Sequence, residues 1–168
     1  DMLHISRCPI NTTETSASLY TKLAELGPDA LIETINKLAN GEITPEPQND
    51  ELANYAKKLS KEEADIDWSM SALQIERNIR SFNPWPMCFT QMGGQTVKIH
   101  QAQVMLQSGD PGQILSSDKS GVVVACGEHA LCITQLQPQG KKPMAINDFL
   151  NGRSDWVTPG TILGENNE

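Results

Sequence analysis

The sequence predicts an α+β protein in which a strand-and-helix segment leads through a linker helix into a small OB-like β-barrel. Three observations predict it. Apolar residues recur at helical spacing as far as Phe82, and they alternate at strand spacing after Pro86. Between the two regimes, Asn83-Pro84-Trp85-Pro86 forces an extended backbone, because a residue ahead of proline is pushed out of the α region.

Met2 to Ile10 reads as a short strand ending near Pro9. Thr12, Thr13, Thr15 and Ser16 offer helix caps, and Leu19, Leu23 and Leu26 follow at helical spacing. Gly27-Pro28 interrupts, since Gly suits the end of one helix and Pro the first turn of the next. Leu31, Ile35 and Leu38 continue the stripe until Asn40-Gly41 stops it. A strand and two helices are how an α/β layer ends, yet no other strand is at hand to build a parallel sheet. Residues 42–56 hold Pro45 and Pro47 and few apolar groups, so they run over the surface. Ser60-Lys61-Glu62-Glu63 has the form of a capping box. In the helix from about Ser69, Ala72, Ile75, Ile79 and Phe82 make one buried face. Arg77 and Arg80 lie on another side, placed to clamp Asp65 or Asp67. The proline run then reads as a stiff hinge between two bodies.

Beyond it, Val97 and Ile99 share one strand phase, while Ala102, Val104 and Leu106 take the other. Such a switch predicts a bulge, the device by which small barrels turn corners. Gly121 to Cys126 and Ala130 to Leu136 form a hairpin around Gly127-Glu128-His129. Pro111-Gly112-Gln113-Ile114-Leu115 is echoed by Pro159-Gly160-Thr161-Ile162-Leu163, each a turn feeding a strand. Ala145 to Gly152 makes a short helix. Five or six strands and one helix fit a closed or partly open OB-type barrel, with a small β-sandwich as the alternative.

The charge balance excludes a broadly basic nucleic-acid binder. The 168 residues carry a net charge of −8. Residues 1–86 hold 8 Lys and Arg against 14 Asp and Glu, and residues 87–168 hold 5 against 7. Any RNA contact must come from local patches. No apolar run approaches the roughly 18 residues of a membrane span, and the opening residues lack a secretory pattern. Opening on Asp1 with Met2 behind it, the chain reads as a fragment. Cys8, Cys88, Cys126 and Cys132 form no C-x-x-C pair and read as buried hydrophobes of a reducing compartment. His4, His100 and His129 cluster with none of them, so no metal site is expected.

Three blocks are more specific. The first is Ala56-Lys57-Lys58-Leu59-Ser60-Lys61-Glu62-Glu63, then Ile66-Asp67-Trp68 and Ile79-Arg80-Ser81-Phe82-Asn83-Pro84-Trp85-Pro86. It resembles the interdomain linker of the methionyl-tRNA formyltransferase family. The second, Leu136-Gln137-Pro138-Gln139-Gly140-Lys141-Lys142-Pro143-Met144 with Phe149-Leu150-Asn151-Gly152, resembles the final hairpin and helix of that family's barrel. The third, Asp1-Met2-Leu3 with Thr15-Ser16 and Leu23-Ala24-Glu25-Leu26-Gly27, resembles the end of its catalytic domain.

The resemblance implies residues 1–54 as the tail of an α/β formyltransferase domain, 55–86 as the interdomain linker and 87–168 as the OB-like barrel. It implies transfer of a formyl group from 10-formyltetrahydrofolate to the amino group of initiator methionyl-tRNA, by a cytoplasmic monomer with no membrane partner. The family's catalytic Asn, His and Asp and its Ser-Leu-Leu-Pro folate loop have no match here. No catalytic residue is assigned, and those groups are expected upstream of Asp1. Relatives such as formyltetrahydrofolate dehydrogenase, or the enzyme formylating an aminoarabinose nucleotide, and a purely structural barrel are the alternatives.

Candidate tRNA contacts follow. Lys57, Lys58 and Lys61 stand in the linker block, where the plain reading is a solvated face beside Glu62 and Glu63. Lys98, Lys141, Lys142 and Arg153 are the barrel's candidates, all of the phosphate-contacting kind that positions RNA without reading sequence. Trp68, Trp85 and Trp156 invite base stacking, but read better as packing residues.

Overall fold

A computed structural model describes residues 1–164, which divide into a unit of residues 1–58 and a unit from Leu59 onward.

The first unit is built on one helix, α1 (Ser16–Ala39). Thr15 caps it, its hydroxyl accepting from the Ser18 backbone N–H while Ser18 Oγ accepts from the Thr15 N–H at 3.0 Å. At the other end Gly41 takes φ 72°. Its N–H bonds Leu38 O and the Glu42 N–H bonds Lys37 O, the paired bonds of a Schellman stop. The break expected at Gly27-Pro28 is absent, for Pro28 lies inside the helix. The proline ring clashes with the Cβ of the residue before it, and Gly27 has none, which removes that part of the cost and leaves the missing backbone donor and the crowding of the Ala24 carbonyl. The strand expected over Met2–Ile10 is also absent. Among the described residues its backbone pairing is one bridge, Met2 with Glu46, and a strand needs a neighbour along its length.

In the second unit, Ser60-Lys61-Glu62-Glu63 makes half of the expected box. The Ser60 N–H donates to Glu63 Oε1 at 3.2 Å, but only a single 3-10 turn, Glu62–Ala64, follows. Helix α2 (Ala72–Ser81) begins later, capped by Ser71. Ala72, Ile75 and Ile79 are buried, as their spacing predicts. Arg80 does not clamp Asp65 or Asp67. It pairs with Glu76 one turn back, Nε to Oε1 at 2.6 Å, while Asp67 accepts from Ser69 Oγ at 2.6 Å.

Among the described residues six strands follow: β1 (Phe89–Met92), β2 (Gln95–Met105), β3 (Ile114–Asp118), β4 (Gly121–Ala125), β5 (Ala130–Pro138) and β6 (Met144–Ala145). They form one antiparallel sheet in the order β1-β2-β5-β4-β3, with β6 on β5, curled into a half-barrel. The bulge lies where the phase switch placed it, between Ile99 and Ala102. β5 changes phase at the same level, so both strands bend together: Pro138, Leu136, Ile133 and Leu131 face inward beside Val97, Ile99, Ala102 and Val104. Leu106 falls outside β2 and is 85% exposed.

The concave face closes over a single core. Ile75 and Ile79 of α2 and Ile146 and Phe149 of α3 (Ile146–Arg153) join Val97, Val122, Val124 and Leu131 in it. Helix α2 and the sheet thus share one core across the proline run. Each such large side chain contributes roughly 1.5–3 kcal/mol of burial. The two Pro-Gly echoes bond to each other. Ile114 N–H donates to Thr161 O, Gly160 N–H to Ile114 O, and Leu163 N–H to Gly112 O, each at 2.8 Å. Leu163 thereby enters the core.

Candidate nucleic-acid interface

Strand parity sets the outer face. With Val97, Ile99, Ala102 and Val104 turned inward, Thr96, Lys98, His100, Gln101 and Gln103 of β2 are left outside. The register sets Lys98 opposite Gln137 and Gln101 opposite Gln135, and on the other side Gln91 opposite Thr96. Lys141 and Lys142 stand exposed in the turn between β5 and β6, whose tightness rests on Gly140 at φ 71°. Gln137 ties turn to strand: its Nε2 donates to Lys141 O at 2.7 Å, and its Oε1 lies 3.0 Å from His100 Nε2. An open depression of about 330 Å³ lies here, lined by Thr96, Lys98, Gln137, Pro138, Gln139 and Gly140.

The structure therefore brings Lys98, Lys141 and Lys142 to one end of one face. Sequence reading picked Lys98 apart from the Lys141-Lys142 pair and missed the glutamines and His100 that join them. The signal was available: residues 87–109 and 129–147 contain no Asp or Glu. Those are the stretches that form β1, β2, β5, β6 and the lysine turn. The acidic residues lie outside these stretches, so β1, β2, β5 and the lysine turn contribute cations and amides to this face and no carboxylate of their own.

The other candidates are placed differently. Lys57 and Lys58 are exposed near the end of the first unit, and Lys61 is exposed at the start of the second, ahead of the 3-10 turn. Beside it, the Ser60 hydroxyl holds the Glu62 carboxyl below its usual range, so Lys61 has an ionised neighbour. Arg153 is half-buried, its guanidinium 5.4 Å from the Trp156 ring and 6.0 Å from that of Phe149, a cation–π stack within the unit. Trp156 packs edge-on against Phe149, and Trp68 is buried with its Nε1 donating to Thr90 Oγ1 at 3.1 Å. Trp85 departs from the packing role read for it, with 50% exposure.

Cys88, Cys126 and Cys132 are buried, and burial lifts the first two thiols to about 12. Among the described residues no group of three or more His, Cys, Asp or Glu is placed to hold a metal ion, and no helix is long and apolar enough to cross a membrane.

Comparison with known proteins fits this geometry. A family model described as "Formyl transferase, C-terminal domain" matches residues 58–154. Methionyl-tRNA formyltransferase of Pseudoalteromonas translucida (strain TAC 125) is 82% identical over the whole of this chain, which covers 54% of that protein. The chain thus spans about half the length of this relative. Among solved structures, HypX from Aquifex aeolicus in complex with tetrahydrofolic acid superposes with a TM-score of 0.66 at 19% identity. It covers 92% of this chain and 28% of its own. A variant of the same protein gives the same TM-score over 29% of its chain. At that identity the likeness shows the fold alone. By the family match over most of its length, the chain belongs to the formyl transferases and carries their C-terminal domain.

Proposed function

We propose that this chain is the RNA-docking part of an enzyme that moves a formyl group from 10-formyltetrahydrofolate to the amino group of initiator methionyl-tRNA. The observation that carries the reading is that β1, β2, β5 and the following turn, built without a single Asp or Glu of their own, set Lys98, Lys141 and Lys142 on one outer face. A phosphate backbone gains most where cations gather without acids to compete. The 82% likeness to a methionyl-tRNA formyltransferase supports the reaction of the whole protein.

On this reading residues 1–54 end the catalytic domain, and residues 55–86 join it to the barrel. The stripe of α1 supports this arrangement: Leu23, Leu31, Ile32, Ile35 and Leu38 are each more than half exposed, an apolar surface made to be covered. The chemistry belongs to the part of the enzyme this chain does not span. Acyl transfer to an amine needs a base for the amine's proton and a donor for the oxyanion. The docking face offers ammonium groups and amides. Nor do the residues present fit a folate. The depression beside Lys98 and the one of about 550 Å³ lined by Met2, residues 46–50 and residues 52–54 are open, and neither contains a buried polar side chain to hold a pteridine. The enzyme works as a cytoplasmic monomer.

The test is binding of the 168-residue chain to initiator tRNA across a salt series, with Lys98→Glu and the Lys141→Glu/Lys142→Glu pair alongside. Affinity should fall with salt and with each reversal, and formyltransferase assays of the chain alone should stay at background. A purely structural barrel is the second reading, favoured by the net charge of −8. Failure to bind at low salt would establish that reading instead.

A further inference from the structure

Resting on the RNA-docking reading, a second feature of the same face bears on which nucleic acid it accepts. The face holds five glutamines: Gln91 on β1, Gln101 and Gln103 on β2, and Gln135 and Gln137 on β5. Two are occupied, Gln91 by Thr96 and Gln137 by His100 and Lys141. Among the described residues, the side-chain amides of Gln101, Gln103 and Gln135 have no protein partner. They form a compact group. Gln101 and Gln103 are same-face neighbours ~6.7 Å apart along one strand, and Gln135 stands on the adjacent strand ~4.8 Å away.

Lysine and glutamine ask different things of a polynucleotide. An ammonium group seeks a phosphate, which RNA and DNA share. An amide carries both a donor and an acceptor, and its natural counterpart is a group that does the same. A phosphate only accepts, whereas a ribose 2′-hydroxyl both donates and accepts, and only RNA has it. An RNA helix displays its 2′-hydroxyls in a wide, shallow minor groove that a sheet surface can meet. Its deep major groove, where an amide would pair with adenine, is closed to side chains.

We propose that Gln101, Gln103 and Gln135 hydrogen-bond ribose 2′-hydroxyls along the minor groove of an RNA helix, so that this face separates RNA from DNA of the same sequence. The lysines set affinity, and the three amides set the choice of sugar.

The experiment compares binding of the 168-residue chain, at one salt concentration, to an RNA hairpin, its 2′-fluoro copy and the matching DNA hairpin. The 2′-fluoro copy keeps the A-form but lacks the hydroxyl donor. The RNA should bind at least tenfold tighter than either copy. The triple variant Gln101→Leu/Gln103→Leu/Gln135→Leu should bring RNA down to the level of the copies and leave their affinity unchanged. Lys98→Glu should weaken all three ligands in proportion. Equal affinity of the unaltered chain for RNA and 2′-fluoro RNA would overturn the ribose assignment and leave phosphate docking standing. Failure to bind any hairpin would overturn both. Because the deciding comparison uses the unaltered chain, a misfolded variant cannot obscure it.

Discussion

The cysteines show how burial governs chemistry at a single residue. Desolvation favours the neutral thiol, so at neutral pH Cys88 and Cys126, lifted to about 12, hold almost no thiolate, and buried Cys132 is shifted the same way. Cys8 is half-exposed. A maleimide at pH 7 should therefore label Cys8 alone in the native chain and the other three only after unfolding, as mass spectrometry would count. Their burial was legible, since Cys126 and Cys132 sit in apolar runs. The demand at Gly127 was not. A Cβ there would stand 1.9 Å from Ser69 O, a backbone atom brought close only by the fold. Gly127→Ala should cost about 2 kcal/mol or more in urea unfolding, as a forced shift of packed backbone does. Nearby, the Ser69 hydroxyl and N–H hold the Asp67 carboxyl below the usual aspartate range. The unfolded carboxyl takes up its proton at higher pH than the folded one. The stabilisation is thus complete above the ordinary value of about 3.9 and drains away as the pH falls through the folded one. The gap in urea midpoint between the native chain and Asp67→Ala should be present at pH 7 and shrink in that acid window.

Elements were legible where their own residues decide them. The face Ala72, Ile75 and Ile79 is written into the spacing of α2, and all three are buried. Ile79→Ala should cost about 2–5 kcal/mol, the range for emptying a packed site, measured by urea or thermal unfolding. The bulge in β2 was legible for a like reason: a sheet with one buried face punishes any slip of phase, so the hydrophobic pattern records the bend. At Gly27-Pro28 two local signals opposed each other, and the strong caps at Thr15 and Gly41 prevailed over the proline between them. Met2–Ile10 has the composition of a strand, but strand formation depends on a neighbour that local sequence does not reveal.

At the scale of the whole molecule, the net charge of −8 is a poor guide to partners, because the sheet segregates it. Lys98 and the Lys141-Lys142 pair, some forty residues apart, meet on a face built from stretches without Asp or Glu, and the register of β2 with β5 is what brings them together. Each lysine reversed to glutamate should lower the slope of log affinity against log salt by about 1, uniformly across RNA sequences. Filter binding or anisotropy at four or five salt concentrations would measure it. Arg153, held over Trp156, should leave that slope unchanged when replaced by glutamine.

The pairing of the two Pro-Gly segments also dictates an order of assembly. Residues 112–114 bond locally to Asp110 and Ala125, but the bonds of Gly112 and Ile114 to residues 160–163, and with them the entry of Leu163 into the core, wait for chain that lies far downstream. Closing so long a loop is entropically slow. Strand β4, Gly121–Ala125, ends buried at every position. On a ribosome still short of Leu163 that strand waits beside an unsealed core, and it is the segment that a chaperone, or a second nascent chain, would meet first.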